Sequence, residues 1–125
     1  MKTDVVAAAV AGAPVTDWRL YDTHYTEHYM GDPRKVPEAY DAASVLSYTK
    51  QLKTPLLVIH GMADDNVLFT HSTKMFELMQ RENVSFEMMT YPGEKHGLLR
   101  NPRAGVHGYG AIAAFFARHL GPDRN

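Results

Sequence analysis

The 125 residues contain no cysteine. That excludes disulfides, a thiolate nucleophile and thiolate-bound zinc, and it fixes no compartment, because disulfide-free proteins occur on both sides of a membrane. No apolar stretch approaches the length needed to cross a bilayer, so no membrane segment is expected. Neither sign of charge dominates. Thirteen basic and 14 acidic side chains leave a formal charge of -1, which gives no reason to expect nucleic acid or an anionic membrane as partner. A Gly-rich phosphate loop is absent, which argues against a nucleotide. Also absent is G-x-S-x-G: the serines are Ser44, Ser47, Ser72 and Ser85, and none sits on a Gly-flanked strand-to-helix turn. Nothing calls for a cofactor. His24 and His28 have the spacing of metal ligands on a helix, but two histidines make an incomplete site and solvent-facing histidines are the preferred reading.

What is present is globular sequence. Hydrophobic residues make up 45% and charged residues 22%, enough for a core and too little charge for disorder. The length allows one domain at most, with no internal repeat and no low-complexity segment. The organising stretch is 55–67, PLLVIHGMADDNV. Its apolar run is short, β-branched at Val58 and Ile59, and does not alternate, as in a strand buried on both faces of a parallel sheet. Functional groups collect just beyond the carboxyl ends of such strands, and here Asp64 and Asp65 follow at once.

Residues 5–10, VVAAAV, form a second buried-strand candidate, small enough to be squeezed between neighbours. Lys2 ahead of this run gives the order of a signal peptide, but the run is short and passes straight into Val15, Asp17 and Trp18, so the strand is the reading taken. Asp17 is expected to cap a helix carrying Leu20, Tyr21, Tyr25, His28 and Tyr29, stopped at Gly31. Its tyrosines, four apart, share a face that serves equally as packing or as a pocket wall. Pro37 opens a short helix through Tyr40, Ala43 and Leu46. Thr70 caps a helix with Met75, Phe76, Leu78 and Met79 inward. Residues 84–91 alternate at first, with Val84, Phe86 and Met88 on one face, as in a half-exposed strand nearer the sheet edge. A closing helix presents Tyr109, Ile112, Ala113, Phe116 and Leu120, and Gly121-Pro122 stops it. Strands alternating with helices imply right-handed crossovers and a parallel sheet covered on both faces.

Asp64 and His96 occupy the loops after successive strands, which in a parallel sheet emerge side by side. A carboxylate and an imidazole so placed can pair, the acid holding one ring nitrogen and leaving the other as general base. The order acid then histidine is also that of the α/β-hydrolase triad. The same spacing arises from a solvated turn carboxylate and an idle loop histidine, and Asp65 is an alternative to Asp64. His60 reads as a packing residue or one that supports the site, and His71, His107 and His119 read as surface or helix-end histidines.

Three stretches carry a more specific signal: residues 13–31 (APVTDWRLYDTHYTEHYMG), 54–69 (TPLLVIHGMADDNVLF) and 86–99 (FEMMTYPGEKHGLL). In order and spacing they closely resemble the dipeptidyl peptidase IV branch of the prolyl oligopeptidase family. The resemblance implies a serine exopeptidase that releases Xaa-Pro or Xaa-Ala dipeptides from the N-termini of peptide substrates. By that match Asp64 is the triad acid and His96 the base. Tyr21 and Tyr25 wall the proline pocket, with Val15, Trp18 and Val67 lining it, and Asn66 helps hold the substrate's backbone carbonyl. Tyr29 keeps its packing role. The expected fold is the C-terminal portion of an α/β-hydrolase, residues 1–125 supplying three parallel strands with flanking helices and an incomplete sheet. In the family the serine lies in GWSYGG, ahead of the matched segment, along with the other half of the catalytic domain and a β-propeller. The expectation is therefore a fragment inactive alone, whose partners are that N-terminal half and, by analogy, a second copy. The alternative is a non-catalytic binding or assembly module built on the same fold.

Overall fold

A computed structural model describes residues 5–121; Lys2 and Pro122, which entered the sequence reading, lie outside the described residues. Three strands form one parallel sheet in the order β1-β2-β3: β1 (Ala9–Gly12), β2 (Leu56–Gly61) and β3 (Glu87–Tyr91). The helices are α1 (Thr23–Met30), α2 (Pro37–Ala43), α3 (Thr70–Arg81) and α4 (Pro102–Leu120), with 3₁₀ turns at Trp18–Leu20, Val45–Gln51 and Leu98–Arg100. This is the expected arrangement of three parallel strands with flanking helices, in an open sheet.

The central strand is β2 because its run is apolar on both faces. Leu57 and Ile59 point to one face, where Phe115 of α4 and Leu98 complete a cluster. Val58 points to the other, against Met75, Phe76 and Met79 of α3. Fully burying a side chain such as Ile59 or Phe115 contributes about 1.5–3 kcal/mol, so the paired clusters supply much of the driving force. Helices thus cover both faces, as parallel strands require.

Several local expectations shift. The first strand is 9–12, displaced toward the C-terminus of the 5–10 run, and it is half-buried, since among the described residues only β2 pairs with it. Val5 stands 90% exposed. The single helix expected after Asp17 is two pieces. Asp17 accepts from Arg19 N and caps only the 3₁₀ turn, and Asp22 accepts from Tyr25 N to cap α1. Gly31, at φ 81°, ends α1 where a side chain would be strained. Pro37 does open α2. Thr70 lies in the first turn of α3 with no side-chain cap bond, the N-cap position being Phe69.

Of the strand expected over 84–91 only 87–91 forms, as β3, and the alternation holds only in part. Val84 and Phe86 pack against the α3 cluster, but Met88 is 56% exposed, and Met89 and Tyr91 face the α4 cluster. The closing helix is longer than expected and rotated. It starts at Pro102, capped by Asn101, and buries Ala104, Gly105, Gly108 and Phe115, while Tyr109 and Leu120 face solvent. A Cβ on Gly105 would meet Leu99 O at 2.5 Å, and one on Gly108 would meet Leu99 Cδ2 at 2.4 Å. These close approaches set the rotation of α4 and turn Phe115, rather than Phe116, fully inward.

Candidate active site

The loops leaving β2 and β3 lie together because their backbones are bonded to each other. Met62 N donates to Tyr91 O at 2.9 Å and Ala63 N to Glu94 O at 3.1 Å. Residue 61 must be glycine for this: a Cβ there would sit 2.3 Å from Glu94 O and 2.9 Å from Lys95 O. The two loops can then place their polar side chains in contact.

Asp64 is the member of the acidic pair that turns inward, with its carboxylate fully buried. A buried carboxylate is tolerated only when its lone pairs are filled, and here all are. Oδ1 accepts from Asn66 N (2.9 Å) and Val67 N (3.0 Å), and Oδ2 accepts from His96 Nδ1 (2.9 Å) and His60 Nε2 (3.1 Å). Burial is the largest single influence on its pKa and acts upward, but the bonds from His96, Asn66 and Val67 outweigh it, so Asp64 is held below the usual carboxylate value. Asp65 points out and pairs with Lys95 Nζ at 2.7 Å, which lowers its pKa.

His96 is 41% exposed. Its Nδ1 faces a carboxylate oxygen and carries the ring proton, so Nε2 is left with the lone pair. A cavity of about 330 Å³ opens beside it, lined by Gly12, Ala13, Ile59, Gly97 and Tyr109 among others. No described hydrogen bond joins His96 to a serine. Ser72 is buried against His60, and Ser44 and Ser47 bond Thr16 O and Asp41 O.

An aromatic cluster stands beside this pair. Trp18 meets Tyr21 edge-on (5.8 Å between centroids) and stacks on Tyr25 (6.1 Å), and Tyr21 meets Tyr25 edge-on at 5.7 Å. Tyr21 is off the helix, yet its ring still joins Tyr25. Its hydroxyl donates to Asn66 Oδ1 at 2.7 Å, tying the cluster to the loop that carries Asp64. With that oxygen occupied, the Asn66 amide N–H₂ is left to donate outward. Tyr29 packs against Tyr25 but is 71% exposed, so it covers little. Val67 is 4% exposed and offers scarcely any surface, while Val15 is half-buried in the loop after β1.

Of two buried histidines, one departs from the expectation set by the sequence. His71 is fully buried rather than at the surface: Thr16 N donates to its Nδ1 at 3.1 Å, and Thr16 Oγ1 donates to its carbonyl at 2.9 Å. Burial pushes its pKa down. His60, also fully buried, bonds Ser72, Asp64 and Val67. A histidine at the end of an apolar strand, directly before Gly61, was the available signal for His60; the position of His71 after Thr70 gave none. His24 and His28 are exposed on α1. Among the described residues no group of three His, Cys, Asp or Glu could hold a metal ion.

A family model described as the prolyl oligopeptidase family matches residues 1–123. Dipeptidyl peptidase 8 of Mus musculus is 37% identical over 109 residues, covering 85% of this chain and 12% of that protein, and the Homo sapiens protein of the same name gives the same figures. The crystal structure of Porphyromonas gingivalis dipeptidyl peptidase 4 superposes with a TM-score of 0.87 at 34% identity, covering 90% of this chain and 16% of that one. The chain therefore spans about an eighth of the length of these curated relatives.

Proposed function

The chain belongs to the prolyl oligopeptidase family, and on that premise we propose that it carries the acid–base pair and the aromatic slot of a serine-type dipeptidyl peptidase site. The observation that carries this reading is the Asp64–His96 pair. One carboxylate oxygen holds Nδ1 of a half-exposed imidazole at 2.9 Å, and the residue lines an open cavity. In this role Asp64 orients the ring and stabilises imidazolium. His96 Nε2 takes the proton of a serine hydroxyl as its oxygen attacks the scissile carbonyl, then returns it to the departing amine. Water repeats the cycle on the acyl-enzyme.

Trp18, Tyr21 and Tyr25 suit a flat apolar ring such as proline, with Val15 and Val67 contributing at the margins, and the Asn66 amide donates to the backbone carbonyl of the peptide. The serine comes from outside these 125 residues, in the same or another polypeptide, and enters through the cavity on the β1 side of His96. Residues 1–125 are on this reading a partial hydrolase domain, inactive alone, because a base without a nucleophile opens no covalent route.

Hydrolysis of a Gly-Pro amide tests it. The isolated chain is expected to give no turnover. Addition of the serine-bearing half is expected to give turnover that is abolished by His96→Ala. Turnover by the chain alone that vanishes in His96→Ala would refute the inactive-fragment reading. The edge of β1, unpaired among the described residues, and an apolar cavity of about 190 Å³ against it favour a second reading as a binding or assembly module. Size-exclusion chromatography decides whether that edge pairs copies of the chain.

A further inference from the structure

The peptidase mechanism uses one imidazole on Asp64, and the structure supplies two. His60 Nε2 lies 3.1 Å from Asp64 Oδ2 and 2.8 Å from Val67 O, and both are acceptors without a proton of their own. Nε2 therefore carries the proton. Ser72 Oγ, 2.7 Å from Nδ1, donates to the remaining lone pair, and the Phe69 ring meets the imidazole edge-on at 5.4 Å. The His60 ring is thus held on every polar atom and cannot turn. Its single N–H spans both ends of the turn whose Val67 N also binds Asp64 Oδ1.

We infer that His60 is a positioning residue for the His96 base. A carboxylate oxygen has two lone pairs. His60 occupies one on Oδ2, leaves one for His96 Nδ1, and so fixes the direction from which the base is held. This rests on the peptidase reading for its purpose, though not for its test.

The tautomers of both rings can be read in the 125-residue chain by long-range ¹H–¹⁵N spectroscopy above the histidine titration range. The wild-type chain is expected to show His60 as Nε2–H and His96 as Nδ1–H. In His60→Gln the amide reaches the place of Nε2, so His96 keeps its Nδ1–H form. In His60→Asn the shorter amide reaches Ser72 and falls short of Asp64. There the Nδ1–H fraction of His96 falls roughly fivefold relative to Nε2–H, the equilibrium weight of one ordinary hydrogen bond. A filler role alone does not separate Gln from Asn in this way.

If His96 stays Nδ1–H in all three proteins, the role of His60 is overturned and the peptidase reading stands. If His96 is Nε2–H in the wild type, the Asp64–His96 pairing itself fails. Should His60→Asn not fold, the wild-type spectrum decides: His60 as Nδ1–H overturns the inference, and His60 as Nε2–H, with His96 unchanged in His60→Gln, supports it.

Discussion

Gly61→Ala is expected to damage the fold and the site through one contact. The added Cβ would lie 2.3 Å from Glu94 O, 2.8 Å from Glu94 C and 2.9 Å from Lys95 O. All three are backbone atoms, so no side chain can swing aside, and the loop carrying His96 must retreat by roughly 1 Å to regain ordinary contact. Overpacking of this kind costs about 2–3 kcal/mol, a fall in Tm of roughly 10 °C for a domain this size. The same retreat stretches the 2.9 Å bond from His96 Nδ1 to Asp64 beyond hydrogen-bonding range. Urea denaturation measures the first effect and the His96 tautomer the second. Gly110→Ala is the control: nothing lies within 4 Å of its Cβ, and helix propensity alone predicts a gain of about 1 kcal/mol. A Gly61→Ala protein as stable as wild type, with His96 still Nδ1–H, would refute the argument that these two loops are in backbone contact.

Asp64→Asn places an amide against four donors, so denaturation should show a loss of about 3 kcal/mol, and kcat in the assembled enzyme should fall about 10⁴-fold. Tyr21→Phe removes the bond to Asn66 Oδ1 at the surface; Tm should move by no more than about 3 °C, while KM for a Gly-Pro substrate rises as the amide loses its orientation. Stability should also depend on pH in two windows. His71 titrates below its ordinary 6.5 when folded, so as pH falls through 6.5 the unfolded chain takes up its proton first and stability declines. His60, Asp17 and Lys74 act on this ring as well as the Thr16 and Leu20 backbone, and urea midpoints between pH 7 and 5 should fall less steeply in His71→Gln. Asp64 acts lower. Its folded value lies below 3.8, so its contribution is complete above that pH and is lost as pH falls through the folded value.

Some elements were legible because their signal is local. The unbroken apolar run of β2 could belong only to a strand covered on both faces, and the Met75, Phe76, Met79 stripe of α3 follows helical period. Other features depended on distant partners. Two aspartates, Asp17 and Asp22, compete as caps, and Tyr21 leaves the helix where its hydroxyl reaches Asn66, 45 residues on. Periodicity puts Phe116 on the stripe of Tyr109, Ile112 and Ala113, yet Phe115 is the ring that is fully buried. The choice between them follows from Gly105 and Gly108 seating on Leu99, a contact between α4 and the turn before it that the helical stripe does not carry.

The sequence by itself determined that parallel strands end in polar loops, one bearing Asp64-Asp65 and the next His96, because apolar runs and their polar exits are properties of neighbouring residues. Only the tertiary structure decided which carboxylate turns inward, and that His71 is buried against the β1 exit loop. Burying a charge requires donors to fill it, and those of Asp64 come from its own exit loop, from His60 of β2 and from His96 of the loop after β3, while the buried His71 ring takes its Nδ1 bond from Thr16 N after β1.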